Sequence, residues 1–250
     1  MDRSVALKDP GQRISHTLES IEKWLAVHPD IRLVICDGSG HDFSESVNRA
    51  FPDSSIESLF FDNDRQLVER HGKGYGEGEI IKYALLNSAF LRDADWFAKC
   101  TAKLWVDNFL DCLREWNEFL LCRAYFADVF SFKKTKLEYI DTRFYLVRKS
   151  VYLKYFSAAH LKVGEAYGKS IEDNFLQIVL GNNLERVLFA SPPVICGVGG
   201  GAGKYYKTGR VRRLKDSLRS KIAQSNPSFA RLFNQPGKNQ VGQDRPESSG

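Results

Sequence analysis

The stretch from His71 to Val106 constrains this chain more than any other. It opens with Gly72, Gly74, Gly76 and Gly78 alternating with other residues in His71-Gly72-Lys73-Gly74-Tyr75-Gly76-Glu77-Gly78-Glu79. Apolar residues follow at 80, 81, 84, 85 and 89 to 91, the spacing of one helical face, before Asp95-Trp96-Phe97-Ala98-Lys99-Cys100-Thr101-Ala102-Lys103. The pattern predicts a glycine loop, a buried helix and a strand from Trp96 to Cys100. Glycine offers close backbone approach and positive φ. A loop of that kind running into a helix N-terminus presents unpaired N–H groups and the positive end of the helix dipole, which together favour an anion. Two readings follow for Gly72 to Glu79: a seat for a phosphorylated ligand, or a surface loop.

With 250 residues and 43% hydrophobic content, the chain can bury the core of one domain, or of one domain with a small appendage. The formal charge of +5 does not by itself imply nucleic acid, and none is expected as a partner. Cys36, Cys100, Cys112, Cys122 and Cys196 form no CxxC pair and no metal-like spacing with histidines, so a reducing cytoplasm is the expected compartment. Met1 to Lys8 contains no long apolar run, so no secretion signal is expected, and no apolar run approaches membrane-spanning length.

In chain order, Ser4 to Leu7 fits a short strand, and Ile14, Leu18, Ile21, Trp24, Leu25 and Val27 fall at helical spacing before Pro29. Ile31 to Cys36 is a β-branched run suited to a buried parallel strand, stopping at Asp37-Gly38-Ser39-Gly40. Open α/β sheets bind ligands at the carboxyl ends of such strands, which makes Asp37 a ligand candidate; a turn-capping role is the alternative. Ser44 to Ala50 reads as a helix, Ile56 to Phe61 as a strand and Trp105 to Phe119 as a helix. Leu120 to Phe126 and Thr142 to Val147 read as strands, Ser150 to Phe156 as a helix, and 187–190 and 194–198 as extended segments. Ser170-Ile171-Glu172-Asp173 opens a further helix with Ser at the N-cap and two acids in the first turn. Those acids suit either helix capping or a general base that takes a proton from a hydroxyl.

Arg32 to Ser39, after an opening helix, resembles the start of nucleotide-sugar glycosyltransferases of the GT-A fold, where the Asp at that turn contacts the nucleotide base. Ser170 to Asp173 resembles the Glu-Asp motif at which inverting members carry their base. Together with Gly72 to Glu79, Asp95 to Thr101 and Pro192 to Lys204, these motifs are similar in order to bacterial transferases of surface polysaccharide, lipopolysaccharide and capsule. The resemblance implies one α/β, GT-A-like (Rossmann-like) domain over 1–206 with a mostly parallel sheet flanked by helices. A basic amphipathic segment at 207–233 and a disordered tail at 234–250 would follow. It implies sugar transfer from a nucleotide diphosphate donor to a hydroxyl of a saccharide or lipid-linked acceptor, with inversion. Asp173 is the implied base, with Glu172 beside it. The implied donor contacts are Asp37, Gly38, Lys73, Gly74, Glu77, Lys99, Thr101, Lys103 and Lys204.

Metal-dependent members follow the strand corresponding to Trp96–Cys100 with Asp-x-Asp, which holds Mg or Mn on the diphosphate. Here the residues are Lys99-Cys100-Thr101-Ala102-Lys103, without a carboxylate, so no metal ligand and no cofactor is assigned. Fixed ammonium groups can also neutralise a departing diphosphate, and Lys99, Lys103, Lys73 and Lys204 are the available cations. Beyond Lys204, Lys207, Arg210, Arg212, Arg213, Lys215, Arg219 and Lys221 accompany the lone acid Asp216, with Val211, Leu214, Leu218 and Ile222 at helical spacing. Such a segment reads as a binder of anionic lipid on the inner face of the cytoplasmic membrane, or as a solvated terminal helix. Two competing readings are an S-adenosylmethionine-dependent methyltransferase and a non-catalytic nucleotide- or membrane-binding module. The first draws on Val34 to Gly40 but lacks a third glycine in His41-Asp42-Phe43.

Overall fold

The structure is a computed structural model that describes residues 9–164, 167, 169–199, 205–206 and 209–235. Helix α1 (Pro10–Val27) is capped by the Asp9 carboxylate, which accepts the Gly11 N–H at 2.9 Å, and Pro10 stands where no N–H is needed. Strand β1 (Leu33–Asp37) pairs in parallel with β2 (Ile56–Phe60) across α2 (Ser44–Ala50). Three helices follow: α3 (Arg65–His71), α4 (Lys73–Asn87) and α5 (Ala89–Arg92). The remaining strands are β3 (Trp96–Cys100), β4 (Leu104–Val106), β5 (Leu120–Ala127), β6 (Lys136–Arg148), β7 (Ile195–Val198) and β8 (Tyr205–Tyr206). The remaining helices are α6 (Phe109–Arg114), α7 (Lys149–Val151), α8 (Ile171–Gly181) and α9 (Arg210–Ser225), with a π turn at Tyr152–Phe156 and a 3-10 turn at Ala159–Lys162.

The chain is α/β, but the expected mostly parallel sheet is not what the ladders form. Among the described strands only β1–β2 is a parallel pair; β3–β6–β5 and β4–β7–β8 are antiparallel. The core explains the central position of β6. Phe144 and Leu146 point into a cluster with Trp24, Leu104 and Phe109, whereas Tyr145 and Val147 point into one with Phe156, Phe175 and Val179. A strand covered on both faces reads as a continuous apolar run whether its neighbours are parallel or antiparallel, so strand direction was not recoverable from that run.

Two element expectations change. Gly72 to Glu79 is not a loop: Gly74, Gly76 and Gly78 lie inside α4. A Cβ on Gly74 would sit 2.9 Å from Ile171 Cβ of α8, and one on Gly78 would sit 2.1 Å from His160 Cγ. On another side of the helix, a Cβ on Gly76 would sit 3.0 Å from Val68 Cγ2 of α3. Each glycine costs about 1 kcal/mol of helix propensity relative to alanine, and the close approach of neighbours on two sides offsets it. Second, Trp105 to Phe119 is not one helix. Leu104–Val106 is fully buried as β4 against β7, and the helix starts only at Phe109. Asn108 makes the break, receiving the Val194 N–H at 2.7 Å and donating to the Pro192 carbonyl at 3.3 Å.

The strand expected at 4–7 and the tail at 236–250 lie outside the described residues. Asn234, placed at the start of that tail from sequence, is instead buried, and its Nδ2 donates to the Glu115 carbonyl at 2.7 Å.

If backbone approach is the reason for the glycines in α4, Gly78→Ala lowers stability by about 2 kcal/mol or more through overpacking against His160. Gly181, where an added Cβ would meet no atom within 4 Å, is the control. Gly181→Ala should raise stability by up to about 0.5 kcal/mol through propensity alone. Urea unfolding of the two variants measures both.

Candidate functional site

The site begins at the turn after β3. Helix α1 holds it from one side: Ser20 Oγ donates to the Ala102 carbonyl at 2.7 Å and Trp24 Nε1 to the Leu104 carbonyl at 3.0 Å. Strand β7 holds it from the other, the Val198 N–H donating to the Lys103 carbonyl at 3.0 Å. Gly197, at φ +106°, makes that approach feasible, because a Cβ there would lie 2.2 Å from the same carbonyl oxygen. Lys103 is thereby fixed in a half-buried position. Its pKa is held below the usual lysine value by burial first, then by the charge of Arg13, with Asp37 acting in the opposite sense and Lys73 adding to the depression. Arg13, Asp37 and Lys73 are thus the charged groups that bear on the Lys103 ammonium.

Asp37 closes β1, accepts the Ser39 N–H at 2.8 Å and lies 3.5 Å from Arg13 Nη2. Its carboxylate is therefore both turn former and acceptor within the cationic group. Gly38 is pressed against neighbours: a Cβ would lie 2.0 Å from Asn63 Nδ2 and 3.0 Å from Ile80 Cδ1, and the Gly38 carbonyl accepts the Asn63 N–H at 3.1 Å. Gly74 likewise packs on Ile171, so both glycines shape the site's wall by letting α4 come close.

Lys99 and Lys103, equivalent from sequence, have different surroundings. Lys99 is 8% exposed, and its ammonium donates to Glu77 Oε1 at 2.5 Å, to the Thr142 carbonyl at 2.7 Å and to Thr101 Oγ1 at 3.3 Å. An ammonium has three N–H groups, so no donor remains for a phosphate. Lys99, Glu77 and Thr101 are joined through that ammonium, and Lys73, one helical turn before Glu77 on α4, is exposed.

The acids of α8 separate in the same way. Asp173 completes a capping box: its carboxylate accepts the Ser170 N–H at 2.9 Å and hydroxyl at 2.8 Å, while Ser170 Oγ accepts the Asp173 N–H at 3.2 Å. Glu172 turns instead to β6, accepting from Thr142 Oγ1 at 3.3 Å. Thr142 thus touches Lys99 through its carbonyl and Glu172 through its hydroxyl. Lys204 lies outside the described residues.

A bulge in β6 makes this meeting geometrically feasible. Cys122 pairs with Tyr145, yet the next β5 residue, Arg123, pairs with Asp141, leaving 142–144 unmatched on that edge. The freed backbone turns toward the site: the Thr142 carbonyl takes Lys99, and the Arg143 carbonyl takes the Thr101 N–H at 3.0 Å. Arg143 is held by Asp141 through Nε at 2.8 Å and Nη2 at 2.5 Å, and its guanidinium lies 5.2 Å from the Tyr206 ring centre. Burial alone would raise the Asp141 pKa, but hydrogen bonds and charge from Arg143, with Arg123 behind, hold it below the usual aspartate value.

Arg13, Thr142, Arg143 and Asp141 were missed from sequence. Two signals pointed to them. Thr17 and Ser20 are buried polar residues on the inward face of α1, the face that also presents Arg13 toward Asp37, and Asp141-Thr142-Arg143 is a polar triplet directly before the apolar run Phe144 to Val147. Cysteine chemistry is not indicated: burial pushes the Cys100 and Cys112 thiols up to about 12 and the Cys36 thiol up to about 11, which suppresses the thiolate.

Removing Lys99 leaves the Glu77 carboxylate and the Thr142 carbonyl without their shared donor. Lys99→Met is expected to cost about 3 kcal/mol in chemical unfolding, and adding Glu77→Gln to restore much of it. A double-variant cost equal to the sum of the Lys99→Met and Glu77→Gln costs would show the pair to be uncoupled. Comparison of this chain with protein-family models, curated proteins and solved structures yields no match.

Proposed function

We propose that this chain transfers a sugar from a nucleotide diphosphate donor to a hydroxyl of a saccharide acceptor carried on lipid, with a GT-A-like use of its sheet edge. The observation that carries the reading is the cluster around Lys103. Arg13 lies 3.5 Å from the Asp37 carboxylate, and the half-buried Lys103 has its ammonium disfavoured by burial first and then by the charges of Arg13 and Lys73, with Asp37 opposing them. A diphosphate entering there relieves the repulsion and meets charge that needs no reorganisation. The resemblance of Arg32–Asp37 and Ser170–Asp173 to nucleotide-sugar transferases supports the same choice of ligand.

In this reading Asp37 accepts hydrogen bonds from the nucleoside, and Arg13, Lys73 and Lys103 offset the charge that develops on the leaving diphosphate. Glu172 takes the proton of the acceptor hydroxyl, whose oxygen bonds to the anomeric carbon as the bond to the diphosphate oxygen breaks. The products are the glycoside, the nucleoside diphosphate and the proton on Glu172. Attack opposite the leaving group inverts the anomeric centre. Glu172 is chosen over Asp173 because the latter's carboxylate is engaged at the helix cap. Lys99 positions Glu77 and the Thr142 backbone, and so the Thr142 hydroxyl that orients Glu172.

Lys103→Met tests the ligand site. Removing a disfavoured charge is expected to raise the melting temperature of the unliganded protein by about 2 °C. The same change should abolish the melting shift given by uridine, guanosine or cytidine diphosphate, whichever the unaltered chain binds. The pH dependence carries a definite sign. The folded-state pKa of Lys103 lies below its ordinary 10.5, so its ammonium is lost earlier than in an unfolded chain as pH rises. Nucleotide affinity therefore begins to fall before the pH reaches 10.5, while the unliganded fold gains stability over that range. A melting shift with S-adenosylmethionine and none with any nucleoside diphosphate would reject the reading.

Glu172→Gln is expected to lower kcat about 100-fold to 10,000-fold with little change in donor KM. Asp173→Ala should cost about 1 kcal/mol of stability through the lost cap and leave kcat within a few fold. The reverse assignment of effects would move the base to Asp173.

A further inference from the structure

Helix α9 is docked with its amphipathicity inverted. A helix that packs on a domain normally turns its apolar stripe inward. Here Val211 is 70% exposed and Leu214 71% exposed, and Leu218 and Ile222 continue the same exposed stripe. The face that meets the domain is polar. Asp216 takes Arg123 Nη2 at 3.0 Å, Arg213 Nη2 reaches Asp107 at 2.5 Å, and Ser220 Oγ and Gln224 Nε2 donate to the Ala190 carbonyl at 3.3 and 2.7 Å. Ala223 is the buried apolar residue on that side. Lys215 and Lys221, both exposed, belong to turns that flank the outward stripe.

A second element of the same chemistry stands beside it. The loop joining β5 to β6 carries Phe130, which is 55% exposed, and Phe132, whose ring is as exposed as in an extended chain. Lys133, Lys134 and Lys136 follow directly and are exposed. Arg219 of α9 joins the two elements, its guanidinium lying 5.4 Å from the Phe130 ring centre and 5.6 Å from that of Tyr125. Among the described residues no helix is long and apolar enough to cross a membrane.

We propose that the β5–β6 loop and α9 form one face that settles into the headgroup region of an anionic lipid membrane. Phe132, Leu214 and Leu218 enter the acyl boundary while Lys133, Lys134, Lys136, Lys215 and Lys221 meet lipid phosphates. Apolar side chains alternating with ammonium groups match that interface, where one depth is apolar and the next is negatively charged. A polyanion such as RNA would use the lysines and leave the aliphatic stripe wet. A protein partner would need acidic groups ringing an apolar patch, a match less general than an anionic leaflet. The inference does not depend on sugar transfer, so a failed glycosyl assay leaves it standing and the converse also holds.

The test is co-sedimentation of the full chain with vesicles of phosphatidylcholine, alone or with about one third phosphatidylglycerol. Binding is expected to the anionic vesicles and not to the neutral ones. Phe132→Ser and the pair Leu214→Ser with Leu218→Ser should each weaken it about tenfold, with the melting temperature unchanged because these side chains are exposed. Phe132→Trp should gain a blue-shifted emission component on mixing with anionic vesicles, which places that loop at the interface even if a serine variant misfolds. Binding unaffected by the serine variants, fully competed by RNA, or replaced by a dimer that protects the stripe in solution would overturn the proposal.

Discussion

The ammonium of Lys99 is the point at which four separate elements meet. It sits on β3, pairs with Glu77 of α4, and takes the Thr142 carbonyl of β6, whose own hydroxyl donates to Glu172 of α8. A cation that is 8% exposed must find acceptors within the protein, because desolvation without them costs several kcal/mol. That requirement dictates how near α4 must come. Gly74 and Gly78 thin the helix against Ile171 and His160, and the bulge at 142–144 turns a strand carbonyl out of its ladder toward β3. The same two devices bring Glu172 to β6. The arrangement of the candidate base is thus a consequence of satisfying a buried lysine.

Lys103 follows the opposite logic four residues later. Its backbone is fixed as firmly, by α1 on one side and β7 on the other, but its ammonium is disfavoured by burial and by the charges of Arg13 and Lys73, with Asp37 opposing them. A cation that contributed only to stability would be expected in surroundings like those of Lys99. Under the proposed function the donor diphosphate is the charge that would offset the repulsion at Lys103, in line with the usual relation between perturbed ionisable groups and ligand sites. The two lysines differ in what their neighbours ask of them.

Much of this was legible in the chain and some of it was not. Trp96–Cys100 was delimited to the residue, and Ser170 was placed correctly as an N-cap, because both follow from local chemistry: a short apolar run bounded by polar residues, and a hydroxyl three positions before a carboxylate. Gly74 and Gly78 misled because their purpose is a contact with residues some 80 to 100 positions away, at Ile171 and His160, which no local rule encodes. Leu104–Val106 fits helix and strand periods equally, and pairing with β7 decided it. Asp37, Lys73 and Lys103 were named as donor contacts through the resemblance to nucleotide-sugar transferases, not through a local rule. Arg13 was not, since a cation on a helix flank looks the same whether it faces solvent or a carboxylate. The Glu172 and Asp173 roles were distinguishable only once the direction of each side chain was known, because both are first-turn acids.

The position of α9 relative to the site follows from the same bulge. Asp216, the one acid in that helix, is held by Arg123 of β5, and Arg123 is the register partner of Asp141, the residue before Thr142. A run of adjacent residues therefore leads from Glu172 through Thr142, Asp141 and Arg123 to the helix whose stripe faces outward. A second attachment joins Arg213 to Asp107, which lies one strand, β4, beyond Lys103. At about 3.3 Å per residue that strand spans roughly 13 Å between Lys103 and Asp107. Both ends of the proposed chemistry, the cations for the leaving group and the carboxylate for the acceptor, are thus each linked through an ion pair to one helix. An acceptor tethered to lipid diffuses in the plane of the bilayer and has a short reach out of it. A transferase that met such an acceptor from free solution would have to find both its depth and its orientation at each encounter. Anchoring by α9 and the β5–β6 loop would fix both beforehand, since two separated contacts on a rigid body leave it little freedom to tilt.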